Sequence, residues 1–422
     1  MTAAHVRSLR LRYWALLTLR FLPTGMFVTV FVLLMQERGL SLADIGVATA
    51  AQGVVMLVLE LPSGGLADAL GRKPVLLLAG VFSIAAGCIL LVAGSVAVLA
   101  AVSALNGVYR ALDSGPLQAW FIDGILAAEP DAEIERDLAR ADVVICASIG
   151  AGALLASVIT RTDGIAGLSP LVAPLVMSVG LQVISLVAVA TLMHEHRPGA
   201  GWAAARQSIG DVPAVVRDAV GIIRADRLLI ALVTGELLWG FGMVTFEILF
   251  PPRLAEVHGG VESAAGLVGP AITAAWILSA IGAVIAPALV RRFGAGWTGC
   301  GLRLLHGAAV VAMALAAGPV GVIVAYLANY WAHGATAPVH YGMVHRAVDS
   351  AHRATVVSAN SLTSQVGGAV GGIALGALAD ATSISTAMIT GAVVLAAAGP
   401  LYLVRRSPSA TVAYDEPAPL NV

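Results

Sequence analysis

ELPSGGLADALGRKPVLL, residues 60–77, sets a carboxylate, a glycine turn and two cations between two long apolar segments. It reads as a cytoplasmic hairpin between two membrane helices. Gly64 and Gly65 remove side-chain bulk where the first helix ends, and Gly71 can take the left-handed conformation that closes the turn. Pro74 suits the start of the next helix. Asp68 lies near the negative end of the preceding helix dipole, so it needs a cation or another helix's N-terminus in front of it. A partner from elsewhere in the fold is therefore expected.

The flanking segments belong to a chain of 422 residues that is 59% hydrophobic and 12% charged, with a mean hydropathy of +0.90. Such a chain has too little polar surface for a soluble protein of its size and is predicted to be a polytopic membrane protein. A net charge of -1 without basic runs interleaved by aromatics gives no sign of nucleic-acid binding. Cys88, Cys146 and Cys300 sit in apolar segments without paired spacing, which suggests packing roles, not a disulfide framework or a metal site. Arg7, Arg10 and Arg12 lead into a first apolar segment long enough to span, and no cleavage site follows it.

A span needs about 20 apolar residues. On that rule twelve are read, at roughly 13–35, 45–66, 75–94, 97–124, 141–160, 169–193, 228–250, 265–290, 297–317, 320–344, 355–378 and 385–404. Arginine and lysine fall almost entirely on one face of this arrangement, with only Arg38, Arg161 and Arg253 on the other. Both termini are thus expected in the cytoplasm, with the protein in the cell membrane. The chain divides into an N-terminal six-helix bundle (1–193), a linker (194–227), a C-terminal six-helix bundle (228–404) and a tail (405–422). In the linker, Val212, Val215, Val216, Ala219, Val220 and Ile223 recur at helical spacing, which predicts an amphipathic helix at the cytoplasmic interface. The tail, rich in Pro, Ser and Ala, is expected to be disordered.

The spacing Gly64-x-Leu66-Ala67-Asp68-x-x-Gly71-Arg72-Lys73 closely resembles the loop signature of the major facilitator superfamily, found there between helices 2 and 3. The resemblance implies an all-α membrane protein, with twelve transmembrane helices in two pseudo-symmetric bundles and a substrate site between them. Weak internal echoes agree with repeated halves: Ala286 to Gly294 against the Asp68 loop, Pro116 to Asp123 against Pro338 to His345, and Gly25-Met-Phe-Val-Thr against Gly242-Met-Val-Thr. In the family, the loop's Asp and Arg join an acidic residue at the end of span 4, and the Asp also faces the N-terminus of span 11. Carried onto this chain, Gly64, Asp68, Gly71, Arg72, Lys73, Asp123 and Arg353 form a conformational latch on the cytoplasmic side.

An ionisable side chain at mid-bilayer costs about 2.5 to 3.5 kcal/mol, so those that persist should face a cavity or a partner. Asn106, Arg110, Asp113 and Ser114 share one face of span 4. Arg110 with Gly115 resembles, with one residue extra, the span 4 Arg-x-x-x-Gly context of superfamily exporters that exchange substrate for protons. Arg20 and Glu236 fall at similar depth in spans 1 and 7, where either can pair across the cavity or with Asp113. The proton-coupling and cavity candidates are Asp113, Glu236, Arg110, Arg20, Asn106 and Glu60. Glu247, beside Pro251 and Pro252, is expected at the interface. Trp239, Trp331 and Asn329 are the substrate-binding candidates. His333, His340 and His345 recur along span 10 at spacings that fit no compact metal set.

The only lysine, Lys73, is followed by proline, so no phosphate-binding loop is present, and His194-Glu-His196 has the wrong spacing for a zinc protease. Enzymatic function is not expected, and neither is a cofactor. Few Asn, Gln or Tyr occur in the spans, which points to an apolar or amphipathic cargo. The expected function is proton-coupled efflux of a small organic molecule by a monomer in the bilayer. A proton-coupled importer and a transporter-like sensor that binds without flux are the alternatives.

Overall fold

The computed structural model describes residues 3–130, 132–162, 167–195, 201–349 and 352–405. The helices in these residues are α1 (Ala3–Glu37), α2 (Leu42–Leu70), α3 (Arg72–Leu90), α4 (Val96–Asp113), α5 (Pro116–Ala128), α6 (Ile134–Thr160), α7 (Ala173–Leu192) and α8 (Trp202–Ala225). They continue with α9 (Arg227–Glu247), α10 (Phe250–His258), α11 (Val261–Phe293), α12 (Ala295–Leu315), α13 (Pro319–Ala347), α14 (Arg353–Ala381) and α15 (Ile384–Ala397), closed by a 3-10 turn at Pro400–Leu403. The tail beyond Arg405, expected to be disordered, lies outside the described residues.

Local sequence sets the breaks. Ser41 and Asp44 form a reciprocal capping box at the start of α2, Ser95 caps α4, and the Asp226 carboxylate accepts from the Leu228 N–H at 2.8 Å to open α9. Gly71 (φ 92°) and Gly294 (φ 79°) turn the chain between α2 and α3 and between α11 and α12, at backbone angles that a side chain would strain. The expected span at 97–124 is broken at Ser114–Gly115, where Pro116 starts α5.

Among the described residues, eleven segments are long and apolar enough to cross a membrane. The twelfth expected span, 320–344, lies in α13, which has 29 residues. Asn329, His333, His340 and His345 lower its apolarity, so length alone marks it as a span. The amphipathic linker helix is α8, longer than its apolar stripe indicates, and the Gly201 N–H ties its start to the Ala69 carbonyl at 2.8 Å.

Close helix packing repeats between the halves. Gly25 and Gly152 bring α1 and α6 into backbone contact, and Gly240, Gly367 and Gly371 do the same for α9 and α14. Thus Gly240, not Gly242 as the sequence echo suggests, plays the part of Gly25; Gly242 meets Leu395 of α15. Two further seams cross between the halves, α2 on α14 and α6 on α11.

Arg38, Arg161 and Arg253, the three exceptions to the charge bias, all bind backbone carbonyls. Arg38 donates to the carbonyls of Leu90, Leu91 and Ala93 at 2.7 to 2.8 Å, closing the C-terminus of α3. Arg253 does the same for α12 through the Ala316 carbonyl at 2.9 Å. Such groups are otherwise orphaned at helix ends, and a cation there also meets the negative dipole end. Arg161 reaches across the halves to the Gly266 carbonyl at 2.9 Å.

At this same end the Asp380 carboxylate accepts from the Leu42 and Ala43 N–H groups at 3.1 and 2.7 Å, so the last turn of α14 caps the first turn of α2. Removing such a cap costs about 1 kcal/mol. Asp380→Ala is therefore expected to loosen this end, read as several-fold faster labelling of a cysteine placed at fully buried Ile45 in a chain freed of its native cysteines. An unchanged labelling rate removes Asp380 from the closure.

Candidate functional site

Between the halves lies a cavity of two lobes, about 450 and 520 Å³, which share Gln52 of α2, Arg110 of α4 and Gln365 of α14 as walls. Each lobe has a volume typical of small-molecule sites. The larger is walled by α1, α3, α4 and α7 and contains Arg20, Glu60, Asn106, Asp113 and Gln182. The smaller is walled by α9, α12 and α13 and contains Glu236, Trp239, Glu247, Arg303, His333 and His340.

The structure places Asn106, Arg110, Asp113 and Ser114 on one side of α4, facing the larger lobe. Asp113 is ion-paired to Arg20, which also donates to the Asp113 carbonyl at 3.1 Å, with Tyr109 beside the pair. Asp113 is only 5% exposed. Glu60 lines the same lobe, and its buried Oε2 has no hydrogen-bond partner among the described residues.

Glu236 does not pair with Arg20 or Asp113 across the cavity, as one sequence-based alternative had it. Its carboxylate lies 3.4 Å from Arg303 and 3.3 Å from His340, both from its own half. Arg303 in turn donates to the Tyr402 hydroxyl at 3.1 Å, and that hydroxyl lies 2.9 Å from Nδ1 of His340. The guanidinium also lies 5.7 Å from the centre of the Trp239 ring, which stacks on His333. Each half thus neutralises its own buried arginine.

Two substrate-binding candidates fall elsewhere. Asn329 is fully buried and lines neither lobe, and Trp331 is half-buried against the cluster that includes Ala332 and Ala335, with its carbonyl against Gly282. The packing seam between α11 and α13 takes Trp331, while His333, Thr336 and His340 face the smaller lobe; Asn329, four residues before His333, shares their helical face without reaching either lobe. Trp239 does line the cavity.

Glu247 is not interfacial. α9 runs on to this residue before α10 begins, Pro251 and Pro252 are buried, and the carboxylate faces the smaller lobe with one oxygen accepting from the Tyr330 hydroxyl at 2.7 Å. Its spacing held the signal, because Glu236, Trp239 or Gly240, Met243 and Glu247 repeat every three or four residues on one helical face. The polar side chains that are sparse in composition also converge here, so the cavity is more polar than the spans as a whole.

At the loop, Arg72 pairs with Asp123 at 2.8 Å, and Gly64 meets nothing within 4 Å of its Cβ position. The side chain of Asp68 lies outside the described residues. Arg353 begins α14, is exposed and forms no ion pair among the described residues. Sequence reasoning missed Glu195, whose carboxylate accepts from the Arg72 and Lys73 N–H groups at 2.7 and 3.1 Å and so caps α3. The Lys73 ammonium binds the Ala190 carbonyl at 2.6 Å, which fastens the loop to the end of α7.

The sequence profile described as Major Facilitator Superfamily matches residues 13–329. No curated protein matches the chain by sequence. Similar solved structures include the nucleoside transporter NupG, at TM-score 0.76 and 17% identity, covering 94% of this chain and 99% of that one. Another is a bacterial homolog of the human lysosomal transporter Spinster in an inward-facing and occupied conformation, at TM-score 0.73, 15% identity, and 96% and 97% coverage. A mutant of the peptide transporter POT in complex with sulfate follows, at TM-score 0.71, 15% identity, and 94% and 93% coverage. At such identities the likeness is one of fold.

Proposed function

The chain belongs to the major facilitator superfamily, and from that premise we propose that it exports a small amphipathic organic molecule across the cell membrane in exchange for protons. The observation that carries this reading is a central cavity between the halves that holds charges of both signs, with the halves pinned together at the Arg38 end. Charges inside a membrane protein mark ion and substrate paths, and rocking of two bundles about such a site is alternating access. With the arginine-rich end and both termini in the cytoplasm, the site here is the inward-facing one, ready to load cargo from inside. Asp113 and Glu236 are the proposed coupling carboxylates, because protonating either one releases a buried arginine and unbalances its half.

The Arg72–Asp123 pair, with Gly71 and Lys73 around it, is the described part of the proposed latch. It favours the opposite state when the cytoplasmic end closes and Asp68 reaches the N-terminus of α14 near Arg353.

The test uses purified protein in liposomes with the membrane potential clamped. An imposed proton gradient is expected to drive accumulation of cargo, and Asp113→Asn to abolish that accumulation while leaving substrate exchange. Flux that ignores the gradient removes proton coupling, and binding without flux removes transport.

A further inference from the structure

Most cavity charges are matched within their own half: Arg20 by Asp113, and Arg303 by Glu236. Arg110 is not. It is exposed to the cavity, forms no hydrogen bond or ion pair with a described residue, and sits where the two lobes join. Glu247 is the complementary case. Tyr330 holds one of its carboxylate oxygens at 2.7 Å, and the residue is otherwise open to the smaller lobe, within electrostatic reach of Arg110. One residue belongs to α4 and the other to α9, so a cation and an anion, neither in an ion pair with a described residue, face one space from opposite halves. Glu60 and Asp113 of the first half also lie within electrostatic reach of Arg110, from the side of the larger lobe.

We infer that the cargo is a zwitterion, with its anionic group on Arg110, its cationic group on Glu247 and its apolar body along Trp239 and Met243. The inference rests on the transport reading and names the class of substrate. An anion drawn to Arg110 meets the repulsion of Glu247, and a cation drawn to Glu247 meets that of Arg110. A neutral molecule desolvates both charges and satisfies neither. A molecule carrying both charges gains at each end, and low surrounding polarisability strengthens both contacts. The guanidinium fork suits a carboxylate or phosphate oxygen pair, whereas a carboxylate with one oxygen engaged suits an ammonium. Because the two anchors lie on different halves, such a cargo also draws the halves together.

Binding is measured as thermal stabilisation of the full chain in detergent. The probes are L-phenylalanine, its decarboxylated analogue phenethylamine and its deaminated analogue 3-phenylpropionate, with L-tryptophan, tryptamine and indole-3-propionate as a second set. At least one zwitterion is expected to bind about tenfold or more tightly than its single-charge analogues. Arg110→Gln should erase its advantage over the amine, and Glu247→Gln its advantage over the acid, with unliganded melting unchanged. Arg110→Lys should keep part of the preference. Binding of an amine or an acid as tight as that of its zwitterion overturns the inference, and so does a lack of binding by either zwitterion. Variants that keep the preference overturn the assignment to these two residues. Charge-selective binding without flux in liposomes leaves this inference standing and sinks the transport reading instead.

Discussion

Glu236→Ala is expected to destabilise the protein by about 3 to 5 kcal/mol, because it leaves a buried guanidinium without a counter-charge. Arg303 is 2% exposed, and its remaining described contacts are the Tyr402 hydroxyl and ring and the face of Trp239, none of which carries a full negative charge. Glu236→Gln keeps the shape and a hydrogen-bond acceptor, so its cost should be smaller. The decisive comparison is the double variant Glu236→Gln with Arg303→Met. Replacing a buried pair by uncharged groups of similar volume is often neutral, so the double variant should recover most of what the alanine variant loses. All three are checked by thermal unfolding in detergent. If Glu236→Ala melts with the unmodified chain, Arg303 is not held by this carboxylate and the network does not act as a unit.

That experiment turns on a pairing that the sequence could not supply. Residue identity and depth placed Arg20, Asp113 and Glu236 inside the membrane, since each sits within a long apolar segment where an ion must find a partner. Which partner each takes depends on the rotation of helices far apart in sequence, and Asp113 finds Arg20 from 93 residues away. The turn at Gly71 was legible because glycine is the residue suited to a φ of 92°, and the Arg72–Asp123 contact because the family resemblance points to it. Glu195 was not, because a capping carboxylate from another helix leaves no local pattern. The cavity's polarity was hidden for a related reason: composition averages over lipid-facing and cavity-facing positions. Gln52, Gln365 and Glu247 are few in number and dense in space.

The cross-half seam of α6 and α11 was equally invisible, and it carries the second large effect. Pro270 has no N–H to give the Gly266 carbonyl one turn earlier, and Arg161 supplies the missing donor from α6. Ser157 enters the same turn, donating to the Ala265 carbonyl at 3.1 Å and accepting from the Gly269 N–H at 2.9 Å. α11 therefore completes its own backbone bonding here with side chains from the other half. This is possible only because position 269 lacks a side chain: a Cβ there would fall on the Ala153 carbonyl and the Ser157 hydroxyl. Gly269→Ala is expected to add an over-packing cost of about 1 to 3 kcal/mol, borne only by the state closed at the Arg38 end. A penalty confined to one of two states lowers its share about 5- to 150-fold, which should stall the transport cycle while the protein still folds. Transport rate in liposomes and labelling of a cysteine at buried Ala153 measure the two consequences. Gly301→Ala, where a Cβ meets nothing within 4 Å, is the matched control and should transport normally. Should Gly269→Ala transport as well as that control, the seam does not have to close during the cycle, and the halves must part and meet elsewhere.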